Sequence, residues 1–127
     1  MRILVADDHS ALRRRVCSIL RARKDLEVCG EAENGKEAIE KTRELEPDLI
    51  VLDIAMPVLD GIGAAREIRK CMPQVEILML SMHRGKQAIQ EARLAGARGF
   101  VSKSQLAATL LNAVDAVLKK QTFFEGL

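Results

Sequence analysis

The chain has 127 residues, of which 48% are hydrophobic and 30% charged, with a formal net charge of +2. That length holds one domain whose core buries roughly two thirds of the unfolded surface, and so balanced a charge gives no reason to expect nucleic acid or a membrane as a direct partner. Cys17, Cys29 and Cys71 are odd in number and form no CxxC pair, so buried thiols are expected rather than a disulfide framework or a zinc site.

The first element is an apolar run, Ile3 to Ala6, that ends in adjacent carboxylates, Asp7 and Asp8. With Leu49 to Leu52 and Ile77 to Leu80 it reads as a strand buried on both faces, the mark of a parallel sheet covered by helices. A helical period follows, with Leu12, Val16, Ile19 and Leu20 on one face and Arg13, Arg14, Arg15, Arg21 and Arg23 turned largely away. Leu26 to Ala32 is a more polar strand suited to an edge. "ENGKEAIEKTREL" then gives a helix with Ala38, Ile39, Thr42 and Leu45 inward, separated by Pro47 from the Leu49 run.

Asp60 is placed to cap a helix bearing Ile62, Ala65, Ile68 and Met72 that stops before Pro73. Gly85 to Ala95 predicts a helix whose inward residues are mostly alanine, with Gly96 as its C-terminal cap. A short strand, Gly99 to Ser102, leads to a last helix with Leu106, Leu110, Ala113, Val114, Val117 and Leu118 buried. "KKQTFFEGL" loses the period and reads as a tail or the start of a linker. Strand and helix alternate five times, which predicts an α/β fold on a parallel sheet.

Right-handed crossovers put every strand C-terminus on one edge, where open sheets of this kind bind their ligands. The residues at those ends are Asp7 and Asp8, Asp53, Ser81 and Lys103: three carboxylates, a hydroxyl and an ammonium. Neighbouring strands lie about 4.8 Å apart, so such acids resist joint ionisation unless a cation lies between them. An all-oxygen set favours Mg²⁺, which completes its shell with water and phosphate oxygens, and Lys103 suits a further phosphate oxygen as a point charge.

Through "VADDHS", "IVLDIAMPVLDG", "LMLSMH" and "GARGFVSK" the sequence resembles the receiver domain of two-component response regulators, over residues 1 to about 120, with residues 121–127 left as tail or linker. The resemblance implies a doubly wound (βα)5, flavodoxin-like three-layer sandwich with sheet order 2-1-3-4-5. It implies that Asp53 is the phosphoacceptor for a histidine kinase, phosphotransfer protein or small phosphodonor. Asp8 is implied as a direct Mg²⁺ ligand together with Asp53 and the Ala55 carbonyl, Asp7 as a partner acting through water, and Lys103 as a phosphoryl contact. Ser81 and Phe100 match the hydroxyl and aromatic positions that rearrange when the acceptor is modified. Such domains assist their own phosphotransfer and slow dephosphorylation rather than act as enzymes. "LSMH" and "GARGF" lean to the NarL/LuxR-like class, whose members carry a DNA-binding output domain absent from this chain.

Other readings have less behind them. A small Mg²⁺-dependent phosphatase with an Asp nucleophile would share the acids but needs a cap to enclose substrate. A nucleotide or flavin module would want a glycine-rich phosphate loop where "DDHS" stands. The basic run from Arg13 to Lys24 is expected to be a solvated face, with a kinase contact as the next reading. His9 and His83 are expected as rim residues, and Met56, Met79 and Met82 as packing. Leu111 and Ala107, off the buried stripe of the last helix, are expected to face a partner or homodimer contact on activation. Met1 leads straight into a strand and no window reaches a membrane span, so a cytoplasmic location is expected.

Overall fold

A computed structural model describes residues 1–82 and 85–124. Its strands are β1 (Arg2–Ala6), β2 (Glu27–Ala32), β3 (Leu49–Asp53), β4 (Glu76–Ser81), β5 (Gly99–Ser102) and β6 (Phe123–Phe124). Its helices are α1 (Ser10–Arg21), α2 (Gly35–Leu45), α3 (Gly61–Cys71), α4 (Lys86–Leu94) and α5 (Leu106–Leu118), the last entered through a short 3₁₀ turn, Lys103–Gln105. The strands pair in parallel in the order β2-β1-β3-β4-β5-β6. This is the expected 2-1-3-4-5 sheet with one strand added.

The three apolar runs are continuous because both faces of the sheet are covered. Leu4, Ala6, Ile50, Leu52, Ile77, Met79 and Phe100 point toward α2, α3 and α4. Ile3, Val5, Leu49, Val51, Leu78, Leu80 and Val101 alternate with them and point toward α1 and α5. Strand and helix boundaries follow local chemistry. Asn34 Oδ1 accepts from the Glu37 N–H at 2.8 Å and Asp60 Oδ1 from the Gly63 N–H at 2.8 Å, satisfying donors that a helix start leaves open. Gly96, at φ +104°, closes α4: its N–H donates to the Arg93 carbonyl and that of Ala97 to the Ala92 carbonyl, both at 3.0 Å.

Some expectations need correction. The sequence after α5 is not wholly irregular, since Phe123–Phe124 pair with Gly99–Phe100 of β5. Only Cys17 is a buried thiol; Cys29 is half-buried and Cys71 exposed, because Cys71 falls on the outer face of the last turn of α3. Met56 and Met79 pack in the core, but Met82 is 70% exposed at the rim beyond β4. Arg13 does not face solvent: its side chain is only 12% exposed. Arg23 is also engaged, reaching Asp25 and Asp115 and so tying α1 to α5. Arg14, Arg15, Arg21 and Lys24 do form the exposed face expected. His83 lies outside the described residues.

Candidate functional site

β1 and β3 are neighbours whose outgoing connections run to opposite sides, α1 toward the β2 edge and α3 toward β4. The crevice between their C-terminal ends is the point where strand order reverses, the position at which open α/β sheets bind ligands. Asp7 follows β1 and Asp53 is the last residue of β3. Lys103 follows β5 and reaches back across β4. A Cβ at Gly61 would lie 2.1 Å from the Asp53 carbonyl oxygen, so only glycine lets the start of α3 tuck under the end of β3. Between them Val58 takes φ +69°, and the Leu59 N–H donates to the Pro57 carbonyl at 2.8 Å in a tight reversal.

Asp7, Asp53 and Lys103 are almost wholly buried. The Lys103 ammonium lies 3.0 Å from Asp53 Oδ1 and 3.1 Å from Asp7 Oδ2. Asp7 Oδ1 also accepts the His9 N–H at 2.9 Å, which fixes the carboxylate against its own loop. The Ala55 N–H reaches Asp53 Oδ1 at a long 3.4 Å. Among the described residues Asp53 Oδ2 is buried with no hydrogen-bond partner, and Asp7 Oδ2 has the ion-pair contact with Lys103 but no aligned hydrogen bond. Buried polar atoms are ordinarily satisfied, and an exception calls for a reason such as an ion.

The electrostatics point the same way. Burial pushes the Asp53 carboxyl up to about 6; Lys103 opposes the rise through its hydrogen bond and charge, and the Asp7 charge adds to it. One buried ammonium therefore does not balance two buried carboxylates. Asp8, with a side chain 30% exposed, adds a third, and ligand atoms of Asp7, Asp8, His9 and Asp53 lie within 4.8 Å of one another. Three carboxylates around an oxygen that lacks a partner fit a small, hard divalent cation better than a soft one. His9 stands at the rim, its Nδ1 3.2 Å from Asp8 and 3.4 Å from Asp7.

The remaining residues expected at the site are found around this cluster. Ser81 ends β4, one residue past the Leu80 that pairs with Asp53, and is buried. Phe100 pairs with Met79 and its ring is turned inward, 1% exposed. Ala55 is exposed on the loop after Asp53.

One residue near the site was not foreseen. Arg13 Nη1 donates to the Asp7 carbonyl at 2.6 Å, its Nε to Glu31 at 2.9 Å, and its Nη2 lies 3.7 Å from Glu33. It anchors the loop that carries Asp7 and neutralises acids at the end of β2. Its position one turn into α1, facing a strand end rich in glutamate, was the available signal.

A groove of about 550 Å³ opens beside the cluster, lined by His9, Ala11, Leu12, Arg15, Met82 and Lys103. A second cavity, about 500 Å³, lies at the opposite edge of the sheet and shares no residue with the acids.

A doubly wound sheet with two acids after its first strand, an acid ending its third and a lysine after its fifth is the architecture of a receiver domain. The sequence matches the response regulator receiver domain model over residues 3–115, and the chain belongs to that family, a signalling family rather than a classical enzyme family. It is 38% identical to the transcriptional regulatory protein LnrK of Bacillus subtilis across 92% of this chain and 53% of that protein. It is 36% identical to the response regulator protein VraR of Staphylococcus aureus across 98% of this chain and 60% of that one. The chain thus spans little more than half the length of these relatives. A LuxR-family response regulator from Aurantimonas sp. SI85-9A1 superposes with a TM-score of 0.94 at 34% identity, covering 98% of this chain and 89% of that one. The leaning toward NarL/LuxR-type relatives is borne out. Among the described residues no helix is long and apolar enough to cross a membrane.

Proposed function

We propose that Asp53 is the acceptor of a phosphoryl group passed from the histidine of a sensor kinase or phosphotransfer protein, and that the chain works as the switch of a two-component phosphorelay. The observation that carries this is the buried Asp53, with one oxygen held by Lys103 and the other, Oδ2, without a hydrogen-bond partner among the described residues. In the transfer a carboxylate oxygen of Asp53 forms a bond to phosphorus as the bond to the donor imidazole nitrogen breaks, and the imidazole leaves with its electron pair.

Asp8, Asp53 and the Ala55 carbonyl would hold Mg²⁺, with Asp7 acting through water. When bound, Mg²⁺ would supply positive charge that balances the clustered acids and a phosphoryl group. Lys103, already poised between Asp7 and Asp53, turns to a phosphoryl oxygen. Ser81 donates its hydroxyl to another, and Phe100 moves toward the space that Ser81 vacates, carrying the change to α4, β5 and α5. The acyl phosphate is later lost to water in a slow reaction assisted by the same residues.

The groove beside Lys103 gives the donor a place to dock, since Ala11, Leu12 and Met82 offer an apolar floor and Arg15 a charge at its margin. Residues 1–120 form the receiver unit. In a full-length protein the output is transcription through a DNA-binding domain, and activation strengthens a homodimer. The hydrolase reading has no support among the relatives reported above, which are response regulators.

The test is phosphorylation by a small-molecule phosphodonor with Mg²⁺, followed by intact mass. Wild type should gain one phosphoryl group and Asp53→Asn none, because the amide keeps the shape and loses the nucleophile. Equal gains in the two proteins would move the acceptor elsewhere.

A further inference from the structure

The two residues of β6 face opposite ways. Phe123 packs on the α1/α5 layer and Phe124 on the layer formed by α2, α3 and α4. In register, Phe124 is the neighbour of Phe100, the buried ring at the switch position, and both belong to the same face of the sheet. The strand lies close: a Cβ at Gly99 would come 2.8 Å from Val117 Cγ2 and 3.3 Å from the Phe123 carbonyl oxygen, so any side chain there would crowd both α5 and the entry to β6.

The segment is held at two points of unlike kind. At its start the chain leaves α5 through Lys120 at φ +65°, with the Lys120 N–H on the Val117 carbonyl and the Gln121 N–H on that of Ala116. Lys120 Nζ lies 2.7 Å from Glu76 Oε2, whose other oxygen takes Arg98 Nε at 2.8 Å, while Arg98 Nη1 donates to the Lys120 carbonyl at 3.2 Å. This clamp joins the first residue of β4 to residues just before β5 and just after α5, and does not involve α4. At its far end the Phe124 ring lies under the Arg93 guanidinium of α4, 4.3 Å from centroid to the guanidinium carbon. α4 is the helix with least to hold it, burying only Ile89 and Ala92 of its nine residues.

We infer that residues 122–124 are a strap whose grip on the domain is set by the positions of Phe100 and α4, so that activation loosens Phe124 while the Lys120 clamp stays closed. The inference rests on the acceptor role of Asp53. Movement of Phe100 disturbs the face on which Phe124 packs, and movement of α4 takes Arg93 off the ring. Residues 122–124 then pass from a fixed direction to a free one, pivoting at Lys120. The strap is a second route out of the switch, carried by the backbone itself.

The chain contains no tryptophan, so Phe124→Trp places a single indole in the strap of the 127-residue protein. Beryllofluoride with Mg²⁺ is the activating probe, and the ¹⁹F resonance of the bound adduct reports that the site is loaded. Loading should shift the emission to the red and raise quenching by acrylamide several-fold, and neither should occur when Asp53→Asn is added. Arg93→Ala should produce part of the change without the probe. Hydrogen exchange on wild type gives a measurement free of the indole: the Phe123 amide, bonded to the Arg98 carbonyl at 3.1 Å, should exchange about tenfold faster on loading while that of Lys120 keeps its rate. A bound adduct with unchanged emission and unchanged Phe123 exchange would overturn the strap and leave the acceptor role standing. Failure of the adduct to bind would overturn the acceptor role and the strap with it.

Discussion

Asp53 illustrates how a single buried acid is made costly on purpose. Burial, more than any neighbour, raises its carboxyl to about 6 from an ordinary 3.8, and Asp7 adds to the rise that Lys103 resists. An acid raised in this way holds its proton more tightly folded than unfolded. Stability of the metal-free protein therefore falls as pH climbs from about 4 to about 6, and the loss is complete above that range. Asp53→Asn removes the charge and should stabilise the metal-free protein by about 1–3 kcal/mol near neutral pH, with the gain fading toward about pH 4. Urea melts of both proteins at the two pH values check this, and parallel pH profiles would contradict it. The same residue predicts that acceptor function and apo stability are bought against each other at one carboxylate.

At the scale of elements, the contrast between α5 and α4 sets where motion is available. α5 buries Leu106, Leu110, Ala113, Val114 and Val117, and its exit is closed by the clamp at Glu76. Burial alone would raise that carboxyl, but Arg98 and Lys120 together outweigh it and hold it below the usual glutamate range. An acid lowered in this way contributes stability above its unfolded value, near 4.5, and the contribution is lost as pH falls through its folded value. Lys120 is 65% exposed and screened by water, so most of the effect comes through Arg98. Glu76→Gln should cost about 1–2 kcal/mol near neutral pH. In thermal melts the difference from wild type should shrink as pH falls below the unfolded glutamate value and vanish once Glu76 is protonated in the folded state; a difference independent of pH would show packing rather than charge to be the cause.

For the molecule as a whole, the sheet gathers charge on one edge and structure on the other. The C-terminal edge carries Asp7, Asp8 and Asp53 against Lys103, with Glu31 and Glu33 drawn off by Arg13. On the proposed reading a divalent cation would bind only where the fold has assembled these acids, and so would stabilise the folded state by mass action. Millimolar Mg²⁺ should raise the melting temperature of wild type by a few degrees, as about 1 kcal/mol does for a domain of this size. Asp8→Ala should abolish the response, because Asp8 is the carboxylate open to solvent and free of Lys103. A melting temperature indifferent to Mg²⁺ in wild type would remove the metal from the site.

Much of this was legible in the sequence because the signals are local or periodic. Runs such as Ile3 to Ala6 and Leu49 to Leu52 specify strands buried on both faces, and the handedness of their crossovers carries Asp7, Asp53, Ser81 and Lys103 to one edge without reference to any contact. Asp60 and Gly96 could be read as caps because a cap depends on a few adjacent residues. Arg13 could not be placed, since a helical period says which way a side chain points but not that Glu31, Glu33 and the Asp7 carbonyl wait there. Cys71 and Met82 were misjudged for a related reason: burial of an apolar side chain depends on what lies opposite it. The partnerless oxygen of Asp53 is likewise a property of the assembled site. Above all, Phe123–Phe124 form too short a run to carry a period and exist as a strand only because β5 offers a free edge, Gly99 leaves room beside it, and α4 brings Arg93 over the ring. Local patterning determined the elements and the edge where the acids meet; tertiary packing alone decided which charges are paired, which oxygen is left open, and that Phe124 is tied to the helix that buries least.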